Sequence, residues 1–374
     1  MGIEVHILGT ASARPSSIRQ VSGSIISCQD GIAVVDAGEG FQTRFFEQRK
    51  RMKLHAKYHL KPSKVGVLCL SHGHLDHTWG VLPWLQSMAL DNRHQPLLVL
   101  GPTTDFVIDA LLNNQSLPEN TPHSDLAIQY RFWQQLGAFT ANLGYPVRWV
   151  LGAVREGRWI ELLDNGRVIE LAAMPQPDGW HHNQITALPT EHTIPSCAWQ
   201  LSADGKQGKF DRVLAEKLEL TEAQKGALAA GKDVDYHDRV LLSKDFRGKR
   251  TTPLSVVISG DTAEMASGIT ALEGCSLLVH EATFLDDFTQ HAEDYQHSTA
   301  SGAARTAIEC GAQHLVLTHY GARIKDTTDS INEAQSVLGK SPIALSAAND
   351  GDRILVKGDG RISHLYWGPE GWTV

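Results

Sequence analysis

Ser71-His-Gly-His-Leu-Asp-His77 crowds three imidazoles and a carboxylate into six positions, directly after the apolar run Val65-Gly-Val-Leu-Cys-Leu70. Such a run, bounded by Ser and Gly, reads as a buried strand opening into a loop. Neutral imidazole and carboxylate are the groups that hold zinc and its neighbours among the divalent metals, so the stretch reads as half of a metal site. The competing reading is a His-rich solvated turn in a chain of 18 histidines. Four donor groups packed together at a strand end weigh against it.

Outward from this stretch the pattern alternates. Upstream, Glu4-Val-His-Ile-Leu8, Ser24-Ile-Ile-Ser-Cys28 and Ile32-Ala-Val-Val-Asp36 are short β-branched runs separated by Gly and Ser, as in a strand meander, and Gln42-Thr-Arg-Phe-Phe46 suits a helix start. Downstream, 79–90 and 106–113 carry helical spacing around the strand Leu97-Leu-Val-Leu100. Residues 114–180 hold much of the aromatic content and read as a variable insertion of two or three strands with a helical piece. Residues 203–252 are rich in Ala, Lys, Glu and Asp; they read either as a projecting substrate-binding arm or as a surface helical pair bridging strands. Strand and helix then alternate again through Ser255-Val-Val-Ile-Ser259, Leu277-Leu-Val-His280, 300–310 and His314-Leu-Val-Leu-Thr318. The expected fold class is α/β, a single domain over 1–374.

Composition narrows the function classes. Hydrophobic residues make up 42% and charged residues 20% of the 374, as in an ordinary globular protein. There is no apolar run of about 18 residues to span a bilayer and no secretory pattern at the start, so the expected setting is cytoplasmic, without a membrane partner. Five scattered cysteines with no Cys-x-x-Cys pair indicate neither a disulfide framework nor a thiolate metal site. A net charge of −8 argues against indiscriminate nucleic-acid binding. Against that background the stretch from Arg44 to Lys64 is strongly basic: Arg44, Arg49, Lys50 and Arg51 are candidate phosphate contacts, and a solvated helix face is the equal alternative.

A metal site assembled by the fold needs further donors at strand ends. His192 in Leu188-Pro-Thr-Glu-His-Thr-Ile-Pro195, Asp261 after Val256-Val-Ile-Ser-Gly260, and His319 after Leu315-Val-Leu-Thr318 fit; His181 and His182 compete with His192 but lack its proline-flanked strand end. With His72, His74, Asp76 and His77 they make five imidazoles and two carboxylates, enough for two metal ions serving ester or phosphodiester hydrolysis.

These residues also carry a resemblance. His72-Gly-His-Leu-Asp-His77 is similar to the His-x-His-x-Asp-His signature of the metallo-β-lactamase superfamily. Leu8-Gly-Thr-Ala-Ser-Ala13, Asp36-Ala-Gly-Glu-Gly-Phe-Gln42, His192-Thr-Ile-Pro195, Ser259-Gly-Asp-Thr262, His280-Glu-Ala-Thr-Phe284, His297-Ser-Thr-Ala300 and Leu317-Thr-His-Tyr-Gly-Ala-Arg323 resemble its ribonuclease Z (tRNA 3′-endonuclease) branch, in that family's order. The resemblance implies an αββα sandwich with the site at one edge and a zinc-dependent endoribonuclease that removes the 3′ trailer from precursor tRNA by metal-hydroxide attack. It further implies that His72, His74 and His192 hold one zinc, that Asp76, His77 and His319 hold the other, and that Asp261 bridges them. Asp76 would serve as base, His297 would donate a proton to the leaving 3′ oxygen, and Glu281 would orient His297. Manganese or iron can use the same ligands.

The chain departs from the family in its arm. The corresponding Leu220-Thr-Glu-Ala-Gln-Lys-Gly-Ala-Leu-Ala-Ala-Gly231 lacks the family's Gly-Pro-rich element, while Gly208-Lys-Phe-Asp211 resembles its flank, so an atypical member with a modified arm is expected. Lys206, Lys209 and Arg212 are its candidate phosphate contacts, the expected partner is precursor tRNA or other RNA, and a homodimer follows by resemblance. Two readings compete. One is a hydrolase of small phosphodiesters, lactones or thioesters with a pocket lined by Trp149, Trp159 or Trp180; the other is a non-catalytic RNA-binding protein with the same fold.

Overall fold

The computed structural model describes residues 2–205, 208–248 and 253–374. Strands β1 (Ile3–Gly9), β2 (Gly23–Ser27) and β3 (Ile32–Ala37) form an antiparallel meander. Helix α1 (Phe41–His55) returns the chain to β4 (Val65–Cys69), parallel to β3, as a parallel pair requires a crossover. Short α2 (Leu75–Thr78) and α3 (Val81–Leu90) lead to β5 (Leu97–Pro102), and α4 (Asp105–Leu112), α5 (Leu126–Gln135) and α6 (Thr140–Leu143) lead to β6 (Val147–Ala153), parallel to β5. The antiparallel β7 (Arg158–Leu162) and β8 (Val168–Leu171) complete this edge.

The second sheet begins with β9 (Asn183–Pro189) and β10 (Cys197–Ala203). Helices α7 (Arg212–Lys217) and α8 (Glu222–Ala229) and the hairpin β11 (Val234–Tyr236) with β12 (Arg239–Leu241) intervene before β13 (Leu254–Ile258). Then come α9 (Ser267–Thr270), β14 (Cys275–Glu281), α10 (Thr289–Tyr295), α11 (Ala300–Glu309), β15 (Ala312–Thr318), α12 (Thr328–Leu338) and β16 (Ala344–Ala347). Strands β17 (Arg353–Val356), β18 (Ile362–Gly368) and β19 (Gly371–Thr373) rejoin the first sheet.

The large sheet runs β19-β18-β17-β1-β2-β3-β4-β5-β6-β7-β8 and the smaller one β16-β15-β14-β13-β10-β9. Three apolar layers account for the stacking. Ile3, Val5, Val35 and Val67 meet Trp199, Leu201, Val256 and Val279 between the sheets. Phe41, Phe45, Trp84, Ile108 and Tyr130 cover the outer face of the large sheet, and Ala303, Ala304, Ala307 and Leu338 cover that of the small one. The result is an αββα sandwich whose central strands are buried on both faces, hence their unbroken apolar runs. Residues 114–180 are built into it: Tyr130, Trp133 and Trp149 pack with ring centroids 4.9–5.9 Å apart and β6 to β8 extend the sheet.

A buried polar chain ties the two sheets together at one side. His314 Nε2 lies 2.8 Å from Ser346 Oγ, Ser346 Oγ 2.7 Å from His364 Nδ1, and His364 Nε2 3.1 Å from Asp352 Oδ2. Asp352 also accepts from the Asn349 and Trp367 backbone N–H groups.

The segment between β10 and β13 is a small lobe with its own core of Ala215, Leu220, Leu228, Leu241 and Phe246, separate from the cores of the sandwich. Asp211 and Thr221 cap its two helices, the latter with a reciprocal Thr221–Gln224 box. Because Ala203 pairs directly with Leu254, the lobe hangs from two adjacent strand ends.

Candidate metal centre

His72, His74, Asp76, His77, His192, Asp261 and His319 sit at one end of the sandwich. Strands β3, β4, β9, β13, β14 and β15 each end there, delivering Asp36, the 71–77 loop, His192, Asp261, Glu281 and His319. Among the described residues three donor groups result, His72, His74, His192 and Asp261 in one, Asp76, His77, Asp261 and His319 in the second, and Glu281, His297 and His319 beside them, with the ligand atoms of each within 4.8 Å of one another. Asp261 belongs to both of the first two.

Hydrogen bonds aim the rings inward. His77 Nδ1 lies 2.8 Å from Asp36 Oδ2, His192 Nδ1 3.0 Å from the Gln296 carbonyl, and His319 Nδ1 3.0 Å from Thr283 Oγ1. Their Nε2 atoms are thereby turned to the centre. Ser71 Oγ bridges Asp36 and His72 Nδ1 at 2.8 and 2.9 Å. Asp36, Ser71, Thr283 and Gln296 are assigned no role by the sequence; Asp36, Ser71 and Thr283 lie inside the quoted motifs, and Gln296 directly precedes His297. Asp36 and His319 adopt φ of 58° and 59°, a left-handed conformation that is costly for side-chain-bearing residues and tolerated where packing enforces it. Gly73 lets the insertion press on the motif: a Cβ there would run into the Ser124 carbonyl, and Gln129 donates to the Gly73 carbonyl.

The residues fit a divalent cation. His72 Nε2 and His192 Nε2 lie 3.1 and 3.2 Å from His74 Nδ1, and His77 Nε2 lies 3.2 Å from His319 Nε2 with the Ser22 hydroxyl farther off at 3.4 Å, so ring nitrogens face one another at close range. Asp261 Oδ1 is sealed from solvent and receives no aligned hydrogen bond, though His77 and His319 Nε2 stand 3.3 and 3.2 Å away. Burial, aided by neighbouring imidazoles, pushes His72 well below its usual range and His74 down to about 4, leaving lone pairs free to bind. Burial would depress His77 as well, but Asp261, Asp76 and Asp36 outweigh it and raise that ring well above its usual range. The second pocket draws in positive charge. Burial would raise Asp76, yet His77 and His319 hold its carboxyl below the usual carboxylate range. Its Oδ2 accepts the Ala13 N–H at 2.8 Å.

His297 stands beside the donors. Its Nδ1 lies 2.7 Å from Glu281 Oε1 and its Nε2 4.0 Å from Asp261 Oδ2. Burial alone would lower the ring, but the Glu281 carboxylate raises it to about 9. Ser298 donates to the Thr262 carbonyl and Thr299 caps α11, so the loop holding His297 is fixed on both sides.

Other expectations need correction. Arg44 is no phosphate contact: it is buried and donates to the carbonyls of Leu8, Val21 and Glu39, with burial lowering it to about 10. Arg49 and Arg51 are spent on Leu60, Phe46 and Trp367. With exposed Lys50 they lie on α1, which starts at the metal end and runs away from it to the start of β4. Lys209 and Arg212 are exposed in the lobe, which hangs from the end of the sheet opposite the metal centre; Lys206 lies outside the described residues. His181 and His182 are bound to Asp30 at that same far end. Trp149, Trp159 and Trp180 pack in the cores.

Comparison with known proteins agrees with this geometry. A family model described as the metallo-beta-lactamase superfamily matches residues 19–163. Ribonuclease Z from Ignicoccus hospitalis is 28% identical over 352 residues, 94% of this chain and 97% of that protein, and ribonuclease Z from Myxococcus xanthus is 27% identical over 323 residues, 86% and 88% of the two chains. Among solved structures, the metallo-beta-lactamase fold protein YhfI from Bacillus subtilis superposes with a TM-score of 0.55 at 18% identity, covering 95% of this chain and 100% of that one. Human tRNase Z, short form, gives a TM-score of 0.50 at 20% identity, covering 94% and 98%. No helix among the described residues is long and apolar enough to cross a membrane. Residues 19–163 thus match the metallo-β-lactamase superfamily, and along nearly its whole length the chain is similar to ribonuclease Z proteins.

Proposed function

We propose that this protein is an endoribonuclease that removes the 3′ trailer from precursor tRNA in the cytoplasm, using two zinc ions. The observation that carries the reading is the pair of donor groups sharing Asp261, with the Glu281–His297 pair against them. Bound there by His72, His74 and His192 on one side and Asp76, His77 and His319 on the other, two divalent cations would supply Lewis acidity to the phosphodiester and to the attacking water. The side chains then move the protons. Water bonds to phosphorus as its proton passes to Asp76 Oδ2, the P–O3′ bond breaks, and His297 Nε2 hands a proton to the departing 3′ oxygen. Glu281 holds His297 Nδ1, so Nε2 faces the leaving group.

The lobe between β10 and β13 supports tRNA as the substrate: its described residues 208–248 form a body with a core of its own and carry exposed Lys209 and Arg212. Since it hangs opposite its own metal centre, a homodimer in which one subunit's lobe grips RNA cut by its partner accounts for both positions. Incubating zinc-loaded protein with a 3′-labelled precursor tRNA, beside bis(p-nitrophenyl) phosphate, tests the reading. The expected result is release of one trailer fragment. Hydrolysis of the small diester without any trailer release would overturn it in favour of a small-phosphodiester hydrolase. Joining β10 directly to β13 is expected to cut trailer release at least ~100-fold, the equivalent of about 3 kcal/mol of lost binding.

A further inference from the structure

Beside His192 lies a groove of about 560 Å³ walled by the 102–106, 154–156 and 189–196 segments together with Gln296. It belongs to none of the donor groups, yet His192 forms part of its wall. Phe106 stands in it 74% exposed, its ring face open to a stacking partner. The ring rests on a stiff base. Thr104 Oγ1 caps α4 at the Val107 N–H, and Arg158 ties Asp105 and Asp109 of the same helix to β7 at 2.6 and 2.9 Å. Opposite, Arg155 reaches Glu191 Oε1 at 2.6 Å and the Thr190 carbonyl at 3.2 Å, and the Ala263 N–H donates to the Glu191 carbonyl at 2.8 Å. The groove wall is thus braced against the Asp261 loop.

Charge chooses the occupant. Arg158 is spent on Asp105 and Arg155 on Glu191, while Glu156 adds a further lining carboxylate, so the lining offers a phosphate no unpaired cation and a neutral base with amino donors is welcome. We propose that this groove seats the base of the unpaired nucleotide next to the scissile phosphate, stacked on Phe106, and that it sets a preference for purines over uracil at that position. The inference rests on the reading of the protein as an RNA endonuclease. Stacking on an aromatic side chain is sequence-tolerant but strengthens with the area of the base, which favours purines. Phe106 is accordingly a specificity residue that holds substrate, not a ligand.

The test uses full-length zinc-loaded enzyme and precursor tRNAs identical except for adenine or uracil on either side of the cut, in competition, so that ratios of kcat/KM are read. The wild type is expected to favour adenine at one flank by about fivefold or more. Phe106→Ala should collapse that ratio to within twofold of unity by raising KM for the adenine substrate, while Phe106→Trp should keep it. A ratio is indifferent to the fraction of folded or metal-loaded enzyme. Equal cleavage by the wild type at both flanks, or an unchanged ratio in Phe106→Ala, would overturn the groove assignment and leave the endonuclease reading standing. Cleavage of none of the RNAs by the wild type would overturn both.

Discussion

The protein holds two clusters of histidine and aspartate, and they are built on opposite plans. In the chain His314–Ser346–His364–Asp352 the bonds run in series, each ring nitrogen in it facing a hydroxyl or a carboxylate, and the series joins one sheet to the other. At the metal edge the nitrogens converge on one another at 3.1–3.2 Å while their opposite sides are committed to Asp36, Gln296 and Thr283. Residue types and burial are alike. The difference is whether the last lone pair meets a donor of the protein, and it separates a strut from a socket.

That contrast can be attacked at its strongest point first. Asp261→Ala should lose metal, by elemental analysis, and at least ~1000-fold in kcat/KM, while circular dichroism and the thermal midpoint stay close to those of the parent; collapse of the fold with metal retained would erase the distinction. Asp36→Asn leaves every donor in place but weakens the hold on His77 Nδ1, and metal affinity should fall about 10- to 100-fold in a chelator competition. The strut predicts the reverse. Asp352→Ala strips His364 and two backbone N–H groups of their acceptor and should lower stability to denaturant by ~3 kcal/mol, with metal content unchanged.

The smallest effect concerns a carboxylate of neither plan. Burial raises Asp125 to about 6 despite bonds from the Ala127 N–H and Thr103. Its folded form therefore holds a proton more tightly than its unfolded form, and stability from this group is full below pH 3.8 and lost as pH rises through about 6. Asp125→Asn should remove that slope and stabilise the protein at pH 7 by at most about 3 kcal/mol, the size of the shift. An unchanged slope in denaturation between pH 4 and 7 would show that the group is not the source.

Much of the sandwich could be read from the chain because its central strands are buried on both faces and appear as unbroken apolar runs. The donors could be read for a related reason: Asp261 and His319 each end such a run, and His192 follows the proline-flanked end of the edge strand β9. The residues that aim them could not. Asp36, Ser71 and Thr283 are of types that serve everywhere as caps and turns, and only the folded chain shows which ring each one meets. The strands after 344 went unread, being short and half exposed. Arg44 misled for the opposite reason. A run of basic residues does not reveal which of them lies on the inner face of a helix, and this one feeds three backbone carbonyls. The tryptophans of the 114–180 segment likewise suggested a pocket and proved to be core.

The attachment of the lobe at Ala203 and Leu254 has a metrical consequence. Blade and handle sit at opposite ends of β10 and β13, strands of seven and five residues that no loop rearrangement can stretch. Within a protomer, and across any fixed pairing of two, the interval between grip and cut is then a property of the β-sheet. If the lobe grips RNA as proposed, such a molecule would measure its substrate as a caliper does, selecting RNAs whose folded dimensions match the gap and leaving the bases at the jaw to make the finer choice.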